Sequence, residues 1–134
     1  LEMDRGPSAN PPGSAQYVSF KGKPMPFAPE FTFYASYSHR FMFKNITLTP
    51  QFDVKWSDKY FLFAEYWWES VNPEMWQPSY FKYDAYLNIA PSDGQWQLNA
   101  YGKNLTETVI RNASFFSVNI GDPRTYGLGL TINF

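Results

Sequence analysis

The chain has 134 residues, and 11 basic and 12 acidic side chains leave a net charge of −1, which gives no electrostatic footprint for nucleic acid. It has no cysteine, which excludes a disulfide framework and a cysteine-ligated metal site. Aromatic residues make up 21% of the sequence and charged residues only 17%, which favours a membrane β-barrel with aromatic girdles or a carbohydrate-binding β-sandwich. No run of about 18 apolar residues exists, so a transmembrane helix is excluded.

The N-terminal part of the chain reads as loop. Residues 1–15 are rich in Pro, Gly, Ser and Asn, and three prolines in Lys21–Pro29 predict a turn. Between them, Gln16–Phe20 could form the tail of a strand. We therefore expect residues 1–27 to be a loop or linker that includes this strand end, and residues 28–134 to be a set of strands.

Six segments alternate apolar and polar residues, the period of a half-buried strand. Ile46–Trp56 has the cleanest alternation, and Pro50 inside it predicts a bulge or a locally missing hydrogen bond. Tyr60–Trp68 carries aromatics on both faces, and Glu65 decides which face is polar. The six predicted strands are Phe31–Phe41, Ile46–Trp56, Tyr60–Trp68, Phe81–Ile89, Trp96–Lys103 and Tyr126–Phe134.

The charged side chains of these strands all share the face opposite the apolar series. A charge on a lipid-facing strand costs about 2–4 kcal/mol for Arg or Lys at the bilayer midplane, so a membrane wall requires this parity. A soluble sandwich would show the same parity. The charged set is Arg40, Asp53, Lys55, Glu65, Lys82, Asp84 and Lys103.

Six antiparallel strands would separate short turns from long loops. Ser57–Asp58, Pro91–Gly94 and the C-terminus fall on one side of the predicted sheet. The other side takes Phe41–Lys44, Ser70–Ser79 and Leu105–Asp122. Short turns on one side and longer loops on the other are typical of outer-membrane barrels.

Three segments carry a family resemblance. Pro123–Phe134, with its Arg-Thr-Tyr-Gly sequence and alternating strand, resembles the C-terminus of bacterial TonB-dependent outer-membrane receptors. Trp96–Thr106 is similar to the family's penultimate strand and its Asn-Leu-Thr-Asp motif, with Glu107 where Asp is usual. Pro24–Glu30 resembles the Leu-Pro-x-x-Pro segment before an earlier barrel strand. The resemblance covers residues 20–134.

The resemblance implies an all-β fold: an antiparallel transmembrane β-barrel segment, formed by about six C-terminal strands of a barrel of about 22. A lipid-embedded sheet must close, and single-chain barrels start at eight strands, so another piece must complete it. We expect that piece to be the rest of the receptor, with its plug, its N-terminal barrel strands and its TonB-contacting segment. The chain starts at Leu1 without a signal peptide, so we expect missing upstream sequence.

The implied function is import of a scarce nutrient, such as a ferric siderophore, across the bacterial outer membrane. This chain would supply barrel wall, outer loops and the C-terminal assembly signal, with outer-membrane lipid, lipopolysaccharide and the barrel-assembly machinery as partners. The assembly signal would be carried by Tyr126, Leu128, Leu130, Ile132 and Phe134.

Four side chains are candidate ligand contacts. Trp67, Met75 and Trp76 flank or fill one outer loop and could stack on a ligand, although hydrophobic packing of the loop is the favoured reading. Arg111, like Arg124, could attract an anionic ligand or a lipopolysaccharide phosphate, although rim salt bridges are the simpler explanation.

We expect no catalysis, cofactor or metal. His39 has no Cys, Ser or second His set to partner it, and Asp53, Glu65 and Asp84 most simply pair with neighbours or water. Two alternatives stay open. One is a homo-oligomeric barrel to which each chain gives a few strands, and the other is a secreted carbohydrate-binding β-sandwich, which the two aromatic faces of Tyr60–Trp68 favour.

Overall fold

The computed structural model describes residues 24–62, 73–114 and 117–133. These parts are antiparallel β structure with one short 3-10 helix, Pro73–Met75. The described residues contain no helix that is long and apolar enough to cross a bilayer. The all-β antiparallel class is therefore confirmed. The strands are β1 (Thr32–Ser38), β2 (Phe41–Phe43), β3 (Ile46–Ser57), β4 (Tyr60–Phe61), β5 (Trp76–Gln77), β6 (Tyr80–Pro91), β7 (Trp96–Lys103), β8 (Arg111–Ser114), β9 (Ser117–Ile120) and β10 (Thr125–Ile132).

One main sheet dominates, in the order β1-β3-β6-β7-β10, and among the described residues it is open at both edges. Small two-stranded sheets, β4-β5 and β8-β9, stand outside it.

At one edge of the main sheet, β1 and β2 together form a single edge strand that is interrupted only at residues 39–40. β2 continues β1 against β3 in unchanged register, from Ser38 opposite Gln51 to Phe41 opposite Leu48. At the break, the His39 amide donates to the Pro50 carbonyl over 3.2 Å. Proline has no N–H to return the second bond of the pair. The locally missing hydrogen bond predicted at Pro50 is therefore confirmed.

The main sheet has one edge of tight turns, which we call the turn edge: Lys44–Asn45, residues 92–95 and the end of β10. Gly94 has φ +70°, which suits glycine, and its amide donates to the Pro91 carbonyl over 3.1 Å. The Ser92 amide donates to the Asn45 carbonyl over 2.8 Å and joins the two turns. The turn predicted over Pro91–Gly94 is thus confirmed.

At the opposite edge, which we call the loop edge, lie the described parts of two long connections, loop 58–79 and loop 104–124. Two sequence-based placements were wrong. Phe41–Lys44 was expected to be a short connection on the side of the long loops, but it forms the end of the edge strand and the start of a tight turn at the turn edge. Ser57–Asp58 was expected among the short turns but lies at the loop edge, because β3 ends there. The division into short turns and long loops survives both corrections.

The third predicted strand, Tyr60–Trp68, is also wrong as a member of the main sheet. β3 pairs with β6 over its whole length, from Ile46 opposite Pro91 to Ser57 opposite Tyr80, so no strand lies between them. Tyr60, Phe61 and Leu62 are all buried, whereas a half-exposed strand would bury only alternate residues. Residues 63–72 lie outside the described residues.

These three residues are the buried apolar core of the described parts, and Met75, Trp76 and Tyr80 pack against them. This loop-edge cluster sits beside the main sheet's end. Within the described residues, therefore, neither face of the main sheet covers a core.

Candidate functional site

One face of the main sheet is apolar from edge to edge. The strand register brings the apolar positions of β3, β6, β7, β10 and the edge strand formed by β1 and β2 onto the same face of the sheet. His39 is the polar exception on this face. This apolar face consists of Phe33, Ala35, Tyr37, Phe41 and Phe43 from β1 and β2; Ile46, Leu48, Pro50, Phe52, Val54 and Trp56 from β3; Phe81, Tyr83, Ala85, Leu87, Ile89 and Pro91 from β6; Trp96, Leu98, Ala100 and Gly102 from β7; and Tyr126, Leu128, Leu130 and Ile132 from β10.

The apolar face is open over much of its area. Leu128 is 81% exposed, Leu130 62% and Phe33 48%. Soluble monomers rarely expose contiguous apolar patches larger than a few hundred Å². An apolar surface that runs across five strands must therefore contact something other than water.

Aromatic rings gather toward the loop edge of this face. Trp56 lies with its ring centre 5.8 Å from that of Phe31 and 6.4 Å from that of Phe81. Phe81 stacks on Tyr83 at 5.9 Å. Near the turn edge, Trp96 starts β7. The rows between carry mostly aliphatic side chains, although Tyr37, Phe52 and Tyr126 also lie there.

The opposite face, which we call the polar face, carries every charged side chain of the main sheet. The Ser36 hydroxyl donates to Asp53 over 2.6 Å, and the Gln51 amide donates to the same carboxylate over 2.9 Å. Asn88 donates to Asn99 over 2.7 Å. The predicted charge parity is confirmed for the described members, while Glu65 lies outside the described residues. They are Arg40, Asp53, Lys55, Lys82, Asp84 and Lys103.

Asp53 and Asp84 both lie on the polar face and accept hydrogen bonds there. Asp53 lies directly opposite Asp84 in the β3–β6 register. Asp84 accepts a hydrogen bond from the backbone N–H of Asn104 over 2.7 Å.

His39 makes an edge contact with Phe41, with ring centres 4.5 Å apart. The described parts hold no cluster of three His, Cys, Asp or Glu side chains suited to a metal.

Asn104 organises the start of the loop 104–124. It has φ +51°, and it is only 1% exposed. Its side-chain amide donates to the carbonyls of Thr108 over 3.0 Å and Asp122 over 3.1 Å. Its side-chain oxygen accepts from the Thr108 amide over 2.9 Å. One buried side chain thus ties both ends of the loop together.

Gln77 joins the two long loops to each other. This side chain is 2% exposed, and its oxygen accepts from the Arg111 amide over 2.6 Å. Its side-chain amide donates to the Pro78 carbonyl over 3.0 Å. The described parts of loops 58–79 and 104–124 therefore meet at one buried side-chain amide.

The candidate ligand contacts Met75, Trp76 and Arg111 all lie at the loop edge. Met75 and Trp76 pack against the buried cluster, and the Trp76 ring centre lies 5.5 Å from that of Phe61. Lys59 holds its ammonium 5.6 Å from the centre of the same indole. The Gln77 bond places the Arg111 backbone beside them, and Trp67 lies outside the described residues.

The loop edge also contains a buried phenol and an ion pair. Burial, reinforced by the charge of nearby Tyr80, raises the pKa of Tyr60 above its ordinary value. Glu107 pairs with Arg124 over 3.3 Å, and both side chains are substantially exposed. This pair joins the two segments on which most of the family resemblance rests.

The predicted assembly residues form one exposed row along β10. Tyr126, Leu128, Leu130 and Ile132 lie on the apolar face and are 53% to 81% exposed. Phe134 lies outside the described residues. Among the described strands, β10 is also a sheet edge, so within this part of the chain the row borders backbone groups that no strand pairs.

No protein-family model matches the chain, and no curated protein or solved structure is significantly similar to it. The resemblance to TonB-dependent receptors and the roles it implies stay predictions.

Proposed function

We propose that this chain forms the C-terminal wall of a TonB-dependent outer-membrane receptor, which imports a scarce nutrient such as a ferric siderophore. The observation that carries the proposal is the pairing of a continuous, exposed apolar face with a hydrogen-bonded polar face on one sheet. A wide barrel needs this pairing, because lipid lies outside its wall and water inside.

The two longest strands, β3 and β6, suit this environment. At ~3.3 Å per residue, the 12 residues of β3 or β6 extend about 40 Å. With the ~45° tilt usual for membrane strands, this corresponds to a height of about 28 Å, close to the ~30 Å hydrocarbon core. The turn edge would face the periplasm and the loop edge the cell exterior.

The strand directions weigh against a homo-oligomeric ring. The two edge lines, β1 and β10, both run from the loop edge to the turn edge. A ring of identical chains in one orientation would therefore pair the described β10 with the described β1 in parallel. Outer-membrane barrels are antiparallel. The described sheet instead fits a partner that supplies an oppositely directed strand at each edge, as the rest of a receptor would.

A carbohydrate-binding β-sandwich is less well supported. It would need a second sheet against the apolar face. The two small sheets of the described parts have strands of two and four residues, which are too short to cover it.

In the receptor proposal, lipid covers this face, and the loop edge with Met75, Trp76 and Arg111 faces the incoming ligand. The plug and TonB contacts belong to the rest of the receptor, and lipopolysaccharide and the assembly machinery are further partners.

Cell fractionation tests the proposal. An antibody against the chain, used on cells that produce it naturally, should detect it in the outer-membrane fraction and not in the soluble fraction. Release should require detergent, because the apolar face would be in lipid. The intact mass of the released protein then shows whether the chain belongs to a larger receptor. A detergent-independent, monodisperse soluble protein would contradict the proposal and favour the sandwich.

A further inference from the structure

Two tyrosine–glycine pairs join the last strand to its neighbour, one on each face of the sheet. On the polar face, Tyr101 lies opposite Gly127, and a Cβ added to Gly127 would lie 2.4 Å from the Tyr101 ring. On the apolar face, Tyr126 lies opposite Gly102, and a Cβ there would lie 3.0 Å from the Tyr126 ring. Each ring therefore covers a strand position that only glycine leaves free.

The hydrophobic pattern alone does not fix the register of β10 on β7. A slip of two residues keeps every side chain on its face, and glycine-rich strands are prone to such slips. In one direction, the slip would bring Gly129 opposite Tyr101. Gly129 has no atom within 4 Å of an added Cβ, so it is a second glycine open to the ring.

The two pairs discriminate against different slips. A slip in the other direction would put Thr125 opposite Tyr101, where the threonine side chain takes the space that Gly127 leaves free. The slip that brings Gly129 opposite Tyr101 would put Tyr126 opposite Asn104. Asn104 is buried, and its side chain holds the ends of loop 104–124 together. Tyr126 would then lose its glycine. Only the observed register satisfies both tyrosines.

We propose that the pairs Tyr101–Gly127 and Gly102–Tyr126 act together as a register lock for the C-terminal strand. Cross-strand aromatic pairs stabilise a sheet locally, and aromatic cover over glycine is one way to pin register. The ammonium of Lys103, 5.3 Å from the centre of the Tyr101 ring, helps to hold that ring. The lock is independent of the receptor proposal, since both pairs lie within the sheet.

Disulfide trapping in the full 134-residue chain tests the lock, and the chain's lack of cysteine makes each introduced pair unique. Leu98→Cys with Leu130→Cys reports the observed register, in which these residues are opposite. Leu98→Cys with Ile132→Cys reports the slipped one. Diagonal residues are about 7–8 Å apart, so the second pair cannot bridge without a slip.

We expect Tyr126→Leu to raise the yield of the slipped disulfide about fivefold. This factor corresponds to the upper end of the range of stabilisation that one cross-strand pair provides. Adding Gly129→Ala should return it to the starting level, because alanine obstructs Tyr101 only in the slipped register. Gly129→Ala alone and Tyr126→Phe should leave the observed register unchanged. An unchanged slipped yield in Tyr126→Leu, or no reversal by Gly129→Ala, would overturn the proposal.

A second variant guards against a folding failure of Tyr126→Leu. Gly102→Ala keeps Tyr126 but displaces its ring, and its new Cβ also meets Leu105 at 2.8 Å. It should raise the slipped yield as well, and Gly129→Ala should again reverse the change. The observed register in undiminished yield in Gly102→Ala would count against the lock.

Discussion

Replacing Leu128 by arginine should sharply reduce the amount of chain that reaches the outer membrane. Leu128 lies in the middle of β10 on the apolar face and is 81% exposed. If lipid covers this face, an arginine there costs about 2–4 kcal/mol near the bilayer midplane. The measurement is the folded chain recovered from outer membranes, compared with the unmodified protein at equal expression.

The matched control is Thr131→Arg, on the same strand but on the polar face. It should insert normally, because its charge points toward water. If the protein were soluble, both exposed sites would tolerate arginine within about 0.5 kcal/mol. Equal recovery of the two variants would therefore contradict a lipid-facing surface.

The second large effect is expected at Asn104. Asn104→Ala removes the three side-chain hydrogen bonds that hold Thr108 and Asp122. Each buried group left without a partner costs about 1–3 kcal/mol, so we expect a loss of about 3 kcal/mol or more. Loop 104–124 should then open, which limited proteolysis and amide hydrogen exchange across the loop would detect.

Two comparisons separate the causes of this loss. Asn104→Gly also loses the bonds but adopts φ +51° without strain, so it should be about 1 kcal/mol more stable than Asn104→Ala. Asn133→Ala removes an exposed asparagine that donates to the Gly94 carbonyl, and it should cost well under half as much as Asn104→Ala. Loop protection that is the same in Asn104→Ala and Asn133→Ala would disprove the role of Asn104.

The faces of the sheet were predictable from sequence because side chains alternate whatever a strand's neighbours are. Ile46–Trp56 shows this, since every apolar residue assigned to it lies on the apolar face. The missing bond at Pro50 was predictable too, because it follows from the chemistry of proline alone.

Strand neighbours were not predictable in the same way. Alternation does not say which strands pair, and Tyr60–Trp68 looked like a strand because aromatic residues favour sheets. Its buried start, Tyr60 and Phe61, instead pairs with Trp76 and Gln77 across a long stretch of chain.

The buried side chains that hold the loop edge were also missed. Gln77 bonds to Arg111, 34 positions away, and no local pattern marks such a contact. Asn104 left a weak signal, because asparagine tolerates a left-handed backbone and bonds to nearby backbone groups. In the sequence, Asn104 stands within the Asn-Leu-Thr segment that resembles the family motif.

The most direct test of the lipid-facing claim is a nitroxide scan along residues 125–132, one label at a time, in the protein in its membrane. Even-numbered positions should collide with oxygen, which concentrates in lipid, and odd-numbered positions with a water-soluble nickel complex. This period of two would place the apolar face of β10 in the bilayer. Even-numbered labels shielded from both probes would instead mean that protein covers this face, and the account of a membrane wall would be wrong.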